Sequence, residues 1–222
     1  MSSSAEKVDL RRSRGQATRE QILDAAREVI QSHGYAAATT RTVADAAGVR
    51  LSLVHYHFGG KSQLLAAVLE HENERLLDRQ RDLYAATEPL AQKWLRACDY
   101  LSEDIRSGYV RVLWELWTAG LAEPELAARW RSALLAWIDL LERVTADWAA
   151  EQGVDLPLAP RIVATIVSNM FLGAEAHILS GMSEEDVPNL RALEGCAELI
   201  ARLELRRPGA KHAGAASAAI ER

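Results

Sequence analysis

The chain has 222 residues, 49% of them hydrophobic, with 26 Lys or Arg against 31 Asp or Glu and a net charge of −5. That length allows one large or two modest domains, and the apolar share is ample for a core. No unbroken run of eighteen apolar residues occurs, so neither a membrane span nor a membrane partner is expected.

The opening MSSSAEKVDLRRSRG has no apolar signal-peptide core, and the expected location is the cytoplasm. Cys98 and Cys196 fit no metal-ligand spacing and read as two inert thiols in a reducing compartment. Charge is unevenly placed. Residues 11–61 carry eight Arg or Lys against four Asp or Glu, a net +4, which leaves −8 over residues 62–222. A basic head on an acidic body concentrates positive potential at one end, where a nucleic acid would bind.

Residues 1–15 are rich in Ser and Arg and read as a flexible basic arm. Arg11, Arg12 and Arg14 there either reach phosphates or the minor groove, or belong to a solvated tail. A first helix is predicted from Thr18, where Thr18-x-x-Gln21 fits a capping box. Ile22, Ala25, Ala26, Val29 and Ile30 recur on one helical face, and Gly34 stops the helix. Arg19 and Arg27 lie off that face and either touch phosphate or stay solvated.

The next stretch, TTRTVADAAGVRLSLVHYHFGGK over Thr39–Lys61, reads as two short helices around a tight turn. Thr39 or Thr40 caps the first, Val43, Ala44 and Ala47 form its apolar stripe, and Gly48 ends it. The second runs near Leu51 to His57 and buries Val54 and Phe58, which leaves a polar and aromatic set outside. A helix-turn-helix with that outward face suits the DNA major groove.

The remainder reads as helices with short breaks. They cover Ser62–Tyr84, Glu88–Arg106, Val110–Leu121, Pro124–Gln152, Pro160–Ser180 and Glu184–Leu205. The tail after Leu205 is rich in small residues and reads as disordered. No stretch alternates with period two, so the predicted class is all-α. A three-helix head with its helix-turn-helix occupies 16–61. A larger helical ligand-binding and dimerisation domain occupies 62–206, between the arm (1–15) and the tail (207–222).

At Thr39–Lys61 the sequence resembles the TetR family of transcriptional regulators. Thr39-Thr40-Arg41, Val43-Ala44, Ala47-Gly48-Val49, His57-Phe58 and Lys61 sit where that family's pattern places them, and the likeness runs from Glu20 to Leu69. Ser52 and Leu53 stand where the family usually has Gly or Pro and then Thr or Ser, and His55 where it commonly has Tyr. The resemblance implies a ligand-responsive repressor, not an enzyme, bound as a homodimer to double-stranded DNA at a palindromic operator. It implies that Thr39 and Thr40 hold phosphate, and that Arg41 reaches a phosphate or a guanine edge. It implies that Leu51, Ser52 and Leu53 face bases, and that His55, Tyr56, His57 and Lys61 clamp the backbone.

The apolar bands Ile162 to Ile178 and Val187 to Leu203 suggest pairing through the last two long helices, as the family dimerises. The family also implies a pocket for a small-molecule effector in the body, with no fixed cofactor. No metal is expected, because His55 and His57 stand two apart on a helix and point in diverging directions, with no third ligand near them in sequence. The candidate lining of the pocket is Trp114, Trp117, Trp137, Asn169 and His177, although an aromatic stripe at helical spacing equally makes a core. The helix from Ser62 to Tyr84 is the expected lever between pocket and head. Two other readings, a helical enzyme and a protein-binding adaptor, are set against this one. The first lacks a paired nucleophile and base, and the second predicts no salt-sensitive binding to DNA.

Overall fold

The structure is a computed structural model that describes the backbone of residues 2–205 and the side chains from residue 13 onward. The expected tail, 207–222, and the side chains of Arg11 and Arg12 lie outside the described residues. The chain is all-α, as expected. In order come α1 (Ser2–His33), a 3-10 turn (Tyr35–Ala37), α2 (Thr40–Ala46), α3 (Leu51–Phe58) and α4 (Lys61–Ala85). These are followed by α5 (Leu90–Arg106), α6 (Tyr109–Gly120), α7 (Pro124–Gln152), α8 (Pro160–Leu179) and α9 (Asn189–Glu204).

Two compact units form. One gathers Met1–Gln80 with Tyr100–Trp137, the other Arg81–Asp99 with Ile138–Arg222. The core of the first is built from the periodic apolar residues of α1, with Val43 and Ala44 of α2 and Val54 and Phe58 of α3. Leu64, Leu65, Val68 and Leu69 of α4 complete its floor. Each of the fully buried aliphatic side chains stabilises the fold by about 1.5–3 kcal/mol. Val112, Leu116 and Leu126 join the same cluster, so its packing extends past residue 61 into α6 and the first turn of α7. The apolar side of α4 is thus shared between the head helices and α6 with the start of α7.

In the second unit Trp94 of α5 is buried and donates its indole N–H to the Leu193 carbonyl at 2.6 Å. Its ring meets Phe171 of α8 edge-on at 5.6 Å. Cys98 is buried nearby, and that burial pushes its thiol up to about 12, which keeps it protonated and inert. Arg161 at the start of α8 bridges Asp139 and Glu142 of α7.

Two expectations change. The first helix does not start at Thr18: α1 runs back to Ser2, and the Thr18 hydroxyl donates to the Arg14 carbonyl one turn earlier at 2.9 Å. Gln21, the expected partner in the capping box, instead donates to the Ala47 carbonyl at 2.8 Å and so ties α1 to the end of α2. The last helix starts at Asn189 rather than Glu184. Before it, Ser183 and Asp186 close a turn on each other, the Ser183 hydroxyl donating to the Asp186 carboxylate at 2.7 Å. Pro188 follows at the N-cap of α9.

Candidate nucleic-acid interface

The interface is organised from the backbone outward. Thr39 caps α2: its hydroxyl accepts the Thr42 N–H at 3.1 Å, while the Thr42 hydroxyl accepts the Thr39 N–H at 2.9 Å. Two orphan donors are satisfied reciprocally. Gly48, at φ 63°, makes the turn that a side chain would strain. Val49 N–H then returns to the Ala44 carbonyl at 3.0 Å, locking α2 against the turn. Gly59, at φ 83°, ends α3 in the same way.

These anchors fix which side of α3 is open. Val54 and Phe58 are buried and Leu51 packs on the core. Ser52, Leu53, His55 and Tyr56 are exposed, Tyr56 by 81% and Leu53 by 37%. The face that carries hydrogen-bonding groups is therefore free, and the apolar face is spent on the fold. His55 donates from Nδ1 to the Gly59 carbonyl at 3.0 Å, which leaves Nε2 as its outward atom. His57 is half-buried, with Tyr56 edge-on at 5.1 Å.

The other expected contacts divide. Arg41 is exposed in the first turn of α2, beside half-buried Thr40. Thr39 is exposed, but its hydroxyl is also the cap. Lys61 opens α4, with its ammonium 4.5 Å over the Tyr35 ring and 3.5 Å from the Tyr35 carbonyl. Arg27 turns away from solvent: its guanidinium lies 3.8 Å from buried Glu72 and donates to Gln31. Arg19 reaches the end of α3, 5.3 Å over the Phe58 ring. Sequence spacing along α1 gave no sign of this last contact, because it is set by how α1 crosses α3.

The five residues expected to line an effector pocket are divided between the two units. Trp114, Trp117 and Trp137 belong to the first unit, Asn169 and His177 to the second. Trp114 meets Trp117 edge-on at 4.4 Å, and Trp117 stacks on Trp130 at 5.4 Å. Asn169 is exposed, and His177 Nδ1 donates to Asn189 Oδ1 at 3.0 Å. A cleft of about 940 Å³ does open within the second unit, between the α4–α5 turn and the C-terminal ends of α7 and α9. Tyr84, Lys93, Asp147, Trp148, Glu151 and Glu204 are among its walls. None of the five lines it.

Comparison with known proteins meets this geometry at the same residues. Residues 22–68 match the family described as bacterial regulatory proteins, tetR family. The HTH-type transcriptional activator FasR of Mycolicibacterium smegmatis is 31% identical over 157 residues, 68% of this chain and 69% of that protein. The HTH-type transcriptional regulator UidR of Escherichia coli K12 is 24% identical over 186 residues, 81% of this chain and 89% of its own. The fold is shared with a crystal structure of a putative transcriptional regulator from Saccharomonospora viridis in complex with choline. That match has a TM-score of 0.69 at 18% identity and covers 84% of this chain and 96% of the other. With a capped α2, a glycine turn and an α3 whose polar face is open, the chain belongs to the tetR family of DNA-binding, helix-turn-helix transcriptional regulators.

Proposed function

We propose that this regulator is a ligand-responsive repressor that binds a palindromic operator as a homodimer, through the helix-turn-helix at about 39–58. The observation that carries the DNA-contact part is the open face of α3: Ser52, Leu53 and Tyr56 are exposed while Val54 and Phe58 are buried. On this reading Thr39, Thr40, His55, Tyr56, His57 and Lys61 contact the phosphodiester backbone. Ser52, Leu53 and the edge of Leu51 face bases, and Arg41 reaches a phosphate or a guanine edge. One head covers too little duplex for tight specific binding, and a two-fold pair matches a palindrome.

The pairing surface is supplied by α8 and α9. Helix α8 is long and apolar enough to cross a membrane by length and composition, and only 17% of that stretch is buried within the chain. Arg161, Ser168, Asn169 and Glu175 interrupt it, which is why no unbroken apolar run shows in the sequence. Ile162 and Ile166 on α8 and Leu199 on α9 are exposed by 49%, 47% and 60%. A second copy of the same two helices would cover these side chains and make a four-helix interface.

The effector is a small molecule bound in the body, and no fixed cofactor is needed. The choline bound to the Saccharomonospora neighbour supports ligand binding by this fold. The effector lowers operator affinity by favouring a body conformation that holds the two heads out of register, and α4 carries the change. The protein acts in the cytoplasm, and its role is regulatory rather than catalytic. A second reading, an activator, is favoured by the name of the FasR relative. In vitro transcription from a promoter that carries the selected operator separates the two. Repression lowers the transcript on adding the protein, and activation raises it.

A further inference from the structure

Two arginines belong to the helix-turn-helix itself, Arg41 and Arg50. Other cations of the head are engaged: Arg19 lies over Phe58, Arg27 beside Glu72, and Lys61 over Tyr35. The side chains of Arg41 and Arg50 have no hydrogen bond or ion pair among the described residues, and both residues are exposed. Arg50 stands immediately before α3 and makes no side-chain cap bond. Its backbone is nevertheless fixed. It is extended at φ −70° and ψ 140°, and its carbonyl accepts the Leu53 N–H at 2.8 Å. Val49 before it and Leu51 after it both pack on the core. An unengaged guanidinium is thus carried on an anchored Cα, at the end of the helix whose first residues meet base edges in a helix-turn-helix.

The rest of the open face makes this position informative. Ser52 offers one hydroxyl, which donates or accepts with little discrimination. Leu53 can meet only a thymine methyl. Tyr56 is a long side chain at the far end of an eight-residue helix. None of these α3 residues forms a two-pronged pair with a purine edge, and Arg41, the other guanidinium of the motif, stands on α2. Guanine presents O6 and N7 in the major groove, and an arginine fork matches both. We infer that Arg50 is a specificity-determining residue that reads a guanine through O6 and N7, next to the base pair met by Leu53. The inference rests on the operator-binding reading above.

The test uses the full chain and its Arg50→Ala variant, each put through selection of bound duplexes from a random pool. Arg50 is exposed, so thermal unfolding of the variant should match that of the parent. The expected result is a parental half-site with a strongly preferred G·C pair, a preference that R50A loses at that position while the other positions keep theirs. Affinity for the parental site should fall by about 5- to 150-fold, and a duplex altered at that pair should bind both proteins alike. An identical motif for both proteins would overturn the inference. So would a uniform loss over all duplexes with a salt slope shallower by about one, which marks a phosphate contact. If the parental chain selects no motif at all, the operator-binding reading fails and this inference falls with it.

Discussion

The ammonium of Lys61 lies 4.5 Å over the ring of Tyr35, and the Tyr35 hydroxyl donates to the carboxylate of Glu123. The same carboxylate accepts the Ser62 hydroxyl at 3.1 Å, and Glu115 accepts the Tyr35 backbone N–H. Burial and the neighbouring Glu123 charge hold the Tyr35 phenol well above its ordinary range, so it stays a donor at any physiological pH. The turn after α1 and the first residues of α4 are therefore fastened to α6 and the α6–α7 corner. Those are the segments that bracket the helix-turn-helix.

Glu123→Ala removes the acceptor for two half-buried hydroxyls at once. The variant should lose about 1–3 kcal/mol of stability, read by thermal or urea unfolding. An unchanged midpoint would mean that the fastening does not form in solution.

Thr39→Ala removes the cap of α2 and leaves the Thr42 N–H without its side-chain acceptor. A loss of about 0.5–2 kcal/mol is expected, and Thr39→Ser should recover most of it because the hydroxyl is what matters. Equal stability of the alanine and serine variants would contradict the assigned cap.

Glu72 supplies a pH dependence. Its side chain is 3% exposed, with Arg27 and Arg75 each 3.8 Å away. Burial raises its carboxyl above the ordinary value, and the nearby Asp24 adds to this. Arg75, Arg27 and His71 oppose it. A raised folded value means that the native state holds its proton longer than the unfolded chain does. The contribution is therefore full at acid pH and is lost as pH rises through the folded value. Glu72→Gln should flatten that decline and unfold at a higher temperature than the parent at neutral pH. A variant whose stability falls with pH just as the parent's does would remove Glu72 from the explanation.

Ile166→Glu and Leu199→Glu each place a charge on the α8–α9 surface at a position already exposed in one chain. The fold should survive, since substitutions at such positions usually change stability by no more than about 0.5 kcal/mol. Sedimentation should change from twice the mass of one chain for the parent to a single chain for the variants. A parent that sediments as a monomer at micromolar concentration would refute the paired surface.

Much of this was legible from spacing alone. The recurrence of Ile22, Ala26 and Ile30 gave α1 its buried side, and the run from Thr39 to Phe58 gave the cap, the glycine turn and the inward pair Val54 and Phe58. Each is a local signal in which propensity, pattern and packing agree. What spacing could not give is tertiary. Gln21 looked like a capping partner and instead reaches Ala47, 26 residues away. Arg27 lies against Glu72, because α1 and α4 bring those positions together. The start of α9 was misplaced by five residues, since Ser183 and Asp186 bond to each other as readily in a turn as at a helix start. Aromatic spacing marks a helix face without saying what that face meets, and Trp117 meets Trp130.

The most direct test of the central claim is selection of duplexes by the full chain from a random pool, followed by the stoichiometry of the complex. The expected product is an inverted repeat, its half-site centres a whole number of helical turns apart at roughly 10 bp per turn, bound by two chains. An unenriched pool, or one half-site bound by one chain, would contradict it.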